Sequence, residues 1–373
     1  MFILSVNIKR ANKAQGGDLP CASSIKFYLP LLYFVFLFLL IHAGCQRPTE
    51  TGDEQGQKKK STARTARVLR VYSALDPNET KIYFSEYEKE TGVSIQWVRM
   101  SSGAVMARVM AEKANPTMGL WFGGPSTDFI HAAQEGLLEP YRPRMDFEPL
   151  KNAHDAQWRW TGFYFGAIAF ASNKEILKQK KLPPPTSWRE LLRPEFYREV
   201  GIAYPYTSGT AYTVIAALVQ LMGEDEAFWY IAALDRNVHH YTKSGSACVT
   251  QVGLGEIGVC VAFSHDVVKK GISKGYPVVM SFPQDGTGYE IGAMALIRGG
   301  PDHEEAKLFM DWVLSVKAQN LMKKWYRIPL NPHAEIVEGA VRASDINLIQ
   351  FDEMKAGADK TRLVEKWRLI TAQ

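Results

Sequence analysis

The chain has 373 residues, more than one ordinary domain needs and close to the length of two. Hydrophobic residues make up 46% and charged residues 22%, which excludes a disordered, collagenous or coiled-coil chain. The net charge of +5 is too slight to imply a nucleic-acid surface, and four Cys exclude a disulfide scaffold.

Residues 27–41 (FYLPLLYFVFLFLLI) form an uncharged apolar run of fifteen, preceded by Lys9, Arg10, Lys13 and Lys26. A bilayer-spanning helix wants about 20 such residues, so the run is short for a permanent span and suits the core of a signal peptide. The sequence after it, Ile41-His42-Ala43-Gly44-Cys45, looks like a bacterial lipobox and makes Cys45 the expected lipidated first residue of the mature chain. His42 departs from the usual aliphatic residue, and an uncleaved signal anchor is the alternative. Both put the rest of the chain outside the cytoplasm on a membrane tether. Residues 1–44 carry four basic residues and one acidic one, so the mature charge is +2. Residues 45–66 are polar, lack large apolar side chains and read as a flexible tether.

From residue 68 the pattern alternates. Strands are expected at 68–72, 93–98 and 120–122, and helices at 78–91 and 104–114. Residues 163–171 (FYFGAIAFA) predict a long apolar strand, and Pro183-Pro184-Pro185 breaks the chain beyond it. A second block repeats the theme, with a strand at 200–204, a helix at about 211–221 and strands at 257–262, 278–281 and 291–297. Helices at 304–314 and 316–325 follow. Such alternation predicts parallel βαβ units and an α/β layer fold.

Two places share one device. Ser101-Ser102-Gly103 and Thr207-Ser208-Gly209-Thr210 each stand just before a helix and just after a strand. A helix start offers unpaired amides and the positive end of its dipole, so hydroxyls and a glycine there suit an anion. Plain helix capping explains either one alone. Gly253-Leu-Gly255-Glu-Ile-Gly258 matches the dinucleotide fingerprint, but a helix precedes it and a strand follows, the reverse of what that site needs. It reads as a helix stop and a turn. His265 and Asp266 follow a strand directly, where they suit hydrogen bonding to ligand hydroxyls, acid–base chemistry or a metal. No G-x-S-x-G elbow accompanies them. Cys248 and Cys260 lack metal-type spacing, and the sequence leaves their pairing open. Trp158, Trp160, Phe163, Tyr164 and Phe165 are expected at a seam between domains.

Several short segments together resemble the periplasmic substrate-binding proteins of ABC importers, in the cluster of ferric-ion, phosphonate and hexose-phosphate binders. They are Ser101-Ser-Gly-Ala-Val-Met-Ala-Arg108, Trp121-Phe-Gly-Gly-Pro-Ser126, Ser208-Gly-Thr-Ala-Tyr212, Gly255-Glu-Ile-Gly258, Gly286-Thr-Gly-Tyr-Glu-Ile-Gly292 and Ala306-Lys-Leu-Phe-Met-Asp-Trp312. The resemblance spans about residues 68–331. It implies a two-lobed α/β fold of the type II periplasmic-binding-protein kind, with lobe one at 67–165 plus 290–373 and lobe two at 166–289. It implies a ligand cleft between hinged lobes, a permease and an ATPase on other chains, a monomer, no cofactor, no resident metal and no catalysis. The segment Phe263-Ser-His-Asp266 stands where ferric binders carry adjacent tyrosines, and the hexose-phosphate binders have His-Asp there. Carried over, His265, Asp266 and Glu290 bind sugar hydroxyls, while Ser101, Ser102, Gly103, Thr207, Ser208, Gly209 and Thr210 receive a phosphate. The implied cargo is a hexose 6-phosphate. A ferric ion and a phosphonate are the alternatives, and an exported sugar-phosphate hydrolase using His265 and Asp266 is a reading from another class.

Overall fold

A computed structural model describes residues 67–371 apart from Asp146. The expected leader, Cys45 and the tether therefore lie outside the described residues. Among those described, no helix is long and apolar enough to cross a membrane.

The chain begins β1 (Val68–Ser73), α1 (Pro77–Thr91), β2 (Ser94–Arg99), α2 (Ser102–Ala111), β3 (Leu120–Pro125), α3 (Ser126–Gln134) and β4 (Leu138–Glu139). The long β5 (Thr161–Asn173) leads to α4 (Lys174–Lys180), β6 (Val200–Ala203), α5 (Gly209–Met222), α6 (Glu224–Asp235), β7 (Val238–Thr242), α7 (Ala247–Leu254), β8 (Val259–Phe263), α8 (Ser264–Lys270) and β9 (Val278–Ser281). It ends with β10 (Tyr289–Ile297), α9 (His303–Val313), α10 (Val316–Gln319), β11 (Ile328–Pro329), α11 (Glu353–Ala358) and α12 (Lys360–Thr371).

The strands lie in the order β2-β1-β3-β10-β5-β8-β6-β7, with β4 added on β10 and β9 and β11 on β5. The outer strands pair in parallel, β1 with β2 and β3 on one side and β6 with β7 and β8 on the other. In the middle β5 and β10 run antiparallel to their neighbours. All thirteen residues of β5 are buried. Its first part pairs with β10 and β11 and its last part with β8 and β9, so one strand serves both halves. A strand buried on both faces needs a continuous apolar run, which is why 163–171 shows no alternation.

Each half has its own core. Tyr83, Phe84, Phe122, Phe163 and Phe309 centre the first, and Phe170, Trp188, Tyr212, Tyr230 and Val261 the second. The aromatic cluster expected at a seam is divided between jobs. Trp160 and Phe163 fill cores of the first half, Trp158 stacks on His154, and Tyr164 faces the cleft described below. The glycine run at 253–258 is a stop and a turn: Gly255 ends α7 at φ +77°, and β8 starts at Val259.

One departure concerns the C-terminus. α11 packs on α3, where Gly357 lies against Ile130, but Leu363, Val364 and Trp367 of α12 belong to the core of the second half. Within the stretch 290–373, much of which is expected in lobe one, the last helix packs its apolar face on α5 and α6. Lys360, at the start of α12, forms a buried ion pair with Asp128 of α3.

Candidate functional site

The carboxyl ends of β1, β3, β6 and β8 open onto one polar cleft, continuous with solvent. That is where an open α/β sheet binds ligands. One wall is made of helix starts. Ser101 precedes α2 without a capping bond from its side chain, and Ser208 caps α5 by accepting the Ala211 amide at 3.4 Å. A third turn, Ser244-Gly245-Ser246 before α7, joins them in the lining. A Cβ on Gly245 would lie 2.2 Å from Thr210 Oγ1, so only glycine lets this turn close on the α5 start.

Ser101, Ser102, Ser208, Gly209 and Thr210 line the cleft as expected. Gly103 and Thr207 do not. The Gly103 amide donates to the Thr207 carbonyl at 3.1 Å, and Thr207 Oγ1 donates to the Lys243 carbonyl at 2.9 Å. These two residues join one helix start to the other and lie outside the cleft lining. Gly209 is also engaged, its amide donating to Ser102 Oγ at 3.0 Å. Hence this wall of the cleft is hydroxyl-rich, with fewer free amides than helix starts alone suggest.

The far wall holds His265, Asp266 and Glu290 together with Asp76, Arg99, Tyr164 and Arg327. β8 runs straight into α8, which places His265 and Asp266 at the strand end, while Glu290 comes from β10. Arg327 is 6% exposed and donates Nε and Nη2 to Glu79 at 2.8 and 3.0 Å. Its guanidinium lies 4.1 Å over the Tyr164 ring. Arg99 is fixed by donating Nε to the Leu75 carbonyl at 3.1 Å.

Burial sets the proton balance. It pushes Glu290 up to about 8 against the opposing pull of Arg327, so this carboxyl is mostly protonated at neutral pH. Burial also raises Asp266, with Lys270 and Arg327 working the other way. For Asp76 burial is outweighed by Lys270, 3.2 Å away, and by the Asn78 amide, which hold its carboxyl below the usual range. His265 is driven well below the ordinary imidazole range by burial and then by Arg327 and Lys270, so it is neutral.

Sequence patterns did not single out Asp76, Arg99, Arg327 or the 244–246 turn. Ser244-Gly245-Ser246 carries the same Ser-Gly signature as the other two turns and was legible in principle. Arg327 immediately precedes the two-residue β11, far from any motif, and only folding brings it to the cleft. Cys248 and Cys260 are joined as a disulfide with Cα atoms 5.5 Å apart, tying α7 to β8. Both elements lead into the site.

Two sheet halves sharing a central strand, with a polar cleft at their strand ends, define a solute-binding protein. The chain belongs to the family of bacterial extracellular solute-binding proteins, whose pattern matches residues 126–356. An uncharacterized protein of Haemophilus influenzae is 36% identical over 298 residues, covering 77% of this chain and 85% of that protein. The structure of the periplasmic binding protein AfuA from Actinobacillus pleuropneumoniae, with exogenous fructose-6-phosphate bound, superposes with a TM-score of 0.79 at 32% identity, covering 83% of this chain and 99% of that one. A putative 2-aminoethylphosphonate-binding periplasmic protein of Salmonella typhi is 25% identical over 248 residues, covering 64% of this chain and 70% of that protein. The protein is thus an extracytoplasmic solute-binding component of an ABC importer with the type II fold, and it works with a permease and an ATPase.

Proposed function

We propose that this protein captures a phosphorylated small molecule, a hexose 6-phosphate, and delivers it for import. The observation that carries this reading is the division of the cleft into two chemically different walls. Ser101, Ser102, Ser208, Thr210, Ser244 and Ser246 gather at three helix starts on one side, where a doubly charged oxyanion finds O–H donors and aligned dipoles. The remaining charged groups in and around the cleft are nearly balanced, and Lys270 links them to the hydroxyl turns by donating to Ser246 Oγ at 2.7 Å. Asp76, Asp266 and Glu79 stand against Lys270, Arg99 and Arg327, with His265 neutral and Glu290 mostly protonated. A balanced cluster of donors and acceptors suits sugar hydroxyls, which do both, better than it suits the ammonium of an aminoalkylphosphonate. A ferric ion is less well served, because Tyr164 is the only tyrosine in the lining and burial drives its phenol well above the ordinary range.

On this reading Ser101, Ser102, Ser208 and Thr210 receive the phosphate, with Gly209 holding Ser102 in place, and His265, Asp266 and Glu290 meet the sugar. The cleft closes by a hinge at β5 and β10, between lobes at about 67–165 plus 290–358 and at 166–289 plus α12, in a monomer that holds its ligand without changing it. Cys45 carries the lipid that tethers the mature chain.

Isothermal titration with fructose 6-phosphate, glucose 6-phosphate, glucose, inorganic phosphate, 2-aminoethylphosphonate and Fe³⁺ tests the cargo. Sugar phosphates are expected to bind at least 100-fold more tightly than glucose or phosphate alone. Tight 2-aminoethylphosphonate binding, or a coloured ferric complex, would replace this reading. Release of inorganic phosphate from a sugar phosphate, abolished by His265→Ala, would make the protein a hydrolase.

A further inference from the structure

We propose that Arg327 is a positioning residue that fixes the proton of His265 on Nδ1 and fastens α8 to the first half of the molecule. The proposal rests on the cleft being the ligand site, whatever ligand it takes. Arg327 Nη1 lies 2.6 Å from His265 Nε2. A guanidinium can only donate, so Nε2 must be the acceptor, and a neutral imidazole that accepts at Nε2 carries its hydrogen on Nδ1. The choice of tautomer is therefore dictated by the partner rather than by the ring.

The surroundings make this arrangement rigid. His265 is 3% exposed, stacks on Phe263 and meets the Tyr164 ring edge-on. Arg327 cannot swing away, because two of its nitrogens are held by Glu79 and its plane lies over Tyr164. Glu79 and Arg327 belong to the half built on β1, β2 and β3, whereas His265 heads α8 beyond β8. One hydrogen bond thus spans the cleft and sets the ring's proton.

The same bond decides what His265 can offer. Its Nδ1 is buried and has no protein partner among the described residues. It sits beside Gly166 of β5, where a Cβ would come within 2.6 Å, so glycine alone leaves room at that edge. With Nε2 occupied by Arg327 and Nδ1–H packed against β5, His265 has no lone pair free to accept a hydrogen bond from a ligand.

Nitrogen NMR of the ligand-free protein, with histidine labelled at both ring nitrogens, reads the tautomer directly. The wild-type protein is expected to show His265 neutral with Nδ1 protonated between pH 6 and 8. In Arg327→Met, which has no donor, the ring is expected to shift toward the commoner Nε2–H form, and Arg327→Lys, which keeps a donor, to restore part of the Nδ1–H population. Because Arg327→Met leaves Glu79 buried without its partner, the Glu79→Gln/Arg327→Met double variant serves as a second carrier of the test. With fructose 6-phosphate as probe, stopped-flow dissociation is expected about 10-fold faster in the Met variants. An Nε2-protonated His265 in the wild-type protein, or an unaltered tautomer in both Met variants, would overturn the proposal. Since the tautomer is read without ligand, that outcome is separate from a failure of sugar-phosphate binding in the titrations above.

Discussion

Ser102 Oγ accepts the Gly209 amide at 3.0 Å, which joins the start of α2 to the start of α5. A Cβ on Gly209 would lie 2.5 Å from Ser102 Oγ, 2.6 Å from Pro125 Cδ and 2.8 Å from Asp128 Oδ2. Gly209→Ala is therefore expected to wedge the two helix starts apart and weaken sugar-phosphate binding more than 100-fold. Small-angle scattering with saturating ligand should show a larger radius of gyration than the wild-type complex. Unchanged affinity would mean that this contact is not part of the binding-competent form.

Ser102→Ala removes the acceptor without adding bulk. The Gly209 amide then loses its partner at a buried site, a loss of about 1–2 kcal/mol. Calorimetric affinity for a sugar phosphate should fall roughly 5- to 30-fold, as such an energy requires. Affinity for any unphosphorylated sugar should stay within the error of the measurement.

Glu290 gives a signed pH dependence. Its pKa is about 8 when folded and about 4.3 when unfolded. Between those values the folded protein keeps a proton that the unfolded chain gives up, so this group's contribution to stability declines as pH rises through the window. Glu290→Gln mimics the protonated acid and should lose this decline. Chemical denaturation at pH 5 and pH 8 is expected to show the variant gaining on the order of 3–4 kcal/mol relative to wild type over that interval. At pH 7 its ligand affinity should remain within about 3-fold, because an amide replaces a mostly neutral acid of the same shape. A parallel pH dependence in both proteins would show that Glu290 ionises normally.

Arg99 lines the cleft and is held by the Leu75 carbonyl. Arg99→Ala should cost a charge-assisted contact of about 1.5–3 kcal/mol toward a phosphorylated ligand. The fall in affinity should shrink as salt is raised, since a screened interaction has less to lose. A salt-independent loss would point to lost packing instead.

The Cys248–Cys260 disulfide closes a loop with a sequence separation of 12. Such a loop is worth about 3 kcal/mol in the chain-entropy account. Reduction with dithiothreitol, or Cys248→Ser/Cys260→Ser, is expected to lower the melting temperature by several degrees. If reductant leaves the melting curve of the wild-type protein unchanged, the pair contributes nothing to stability.

Local sequence determined a good deal. The alternating pattern, the apolar run of β5 and the Ser-Gly turns ahead of α2 and α5 were legible because strand burial and helix starts impose their demands on neighbouring residues. His265 and Asp266 were legible because they follow a strand end, and Glu290 came through the family resemblance. Tertiary structure alone decided which of those groups face the cleft. Gly103 and Thr207 turn out to bond to each other, Arg327 arrives from 62 positions beyond His265 to take its Nε2, and α12 crosses to the second half. The physical reason is range. Periodicity and capping act within a few residues, while a guanidinium's choice among Glu79, Tyr164 and His265 depends on surfaces that meet only when distant strands pair.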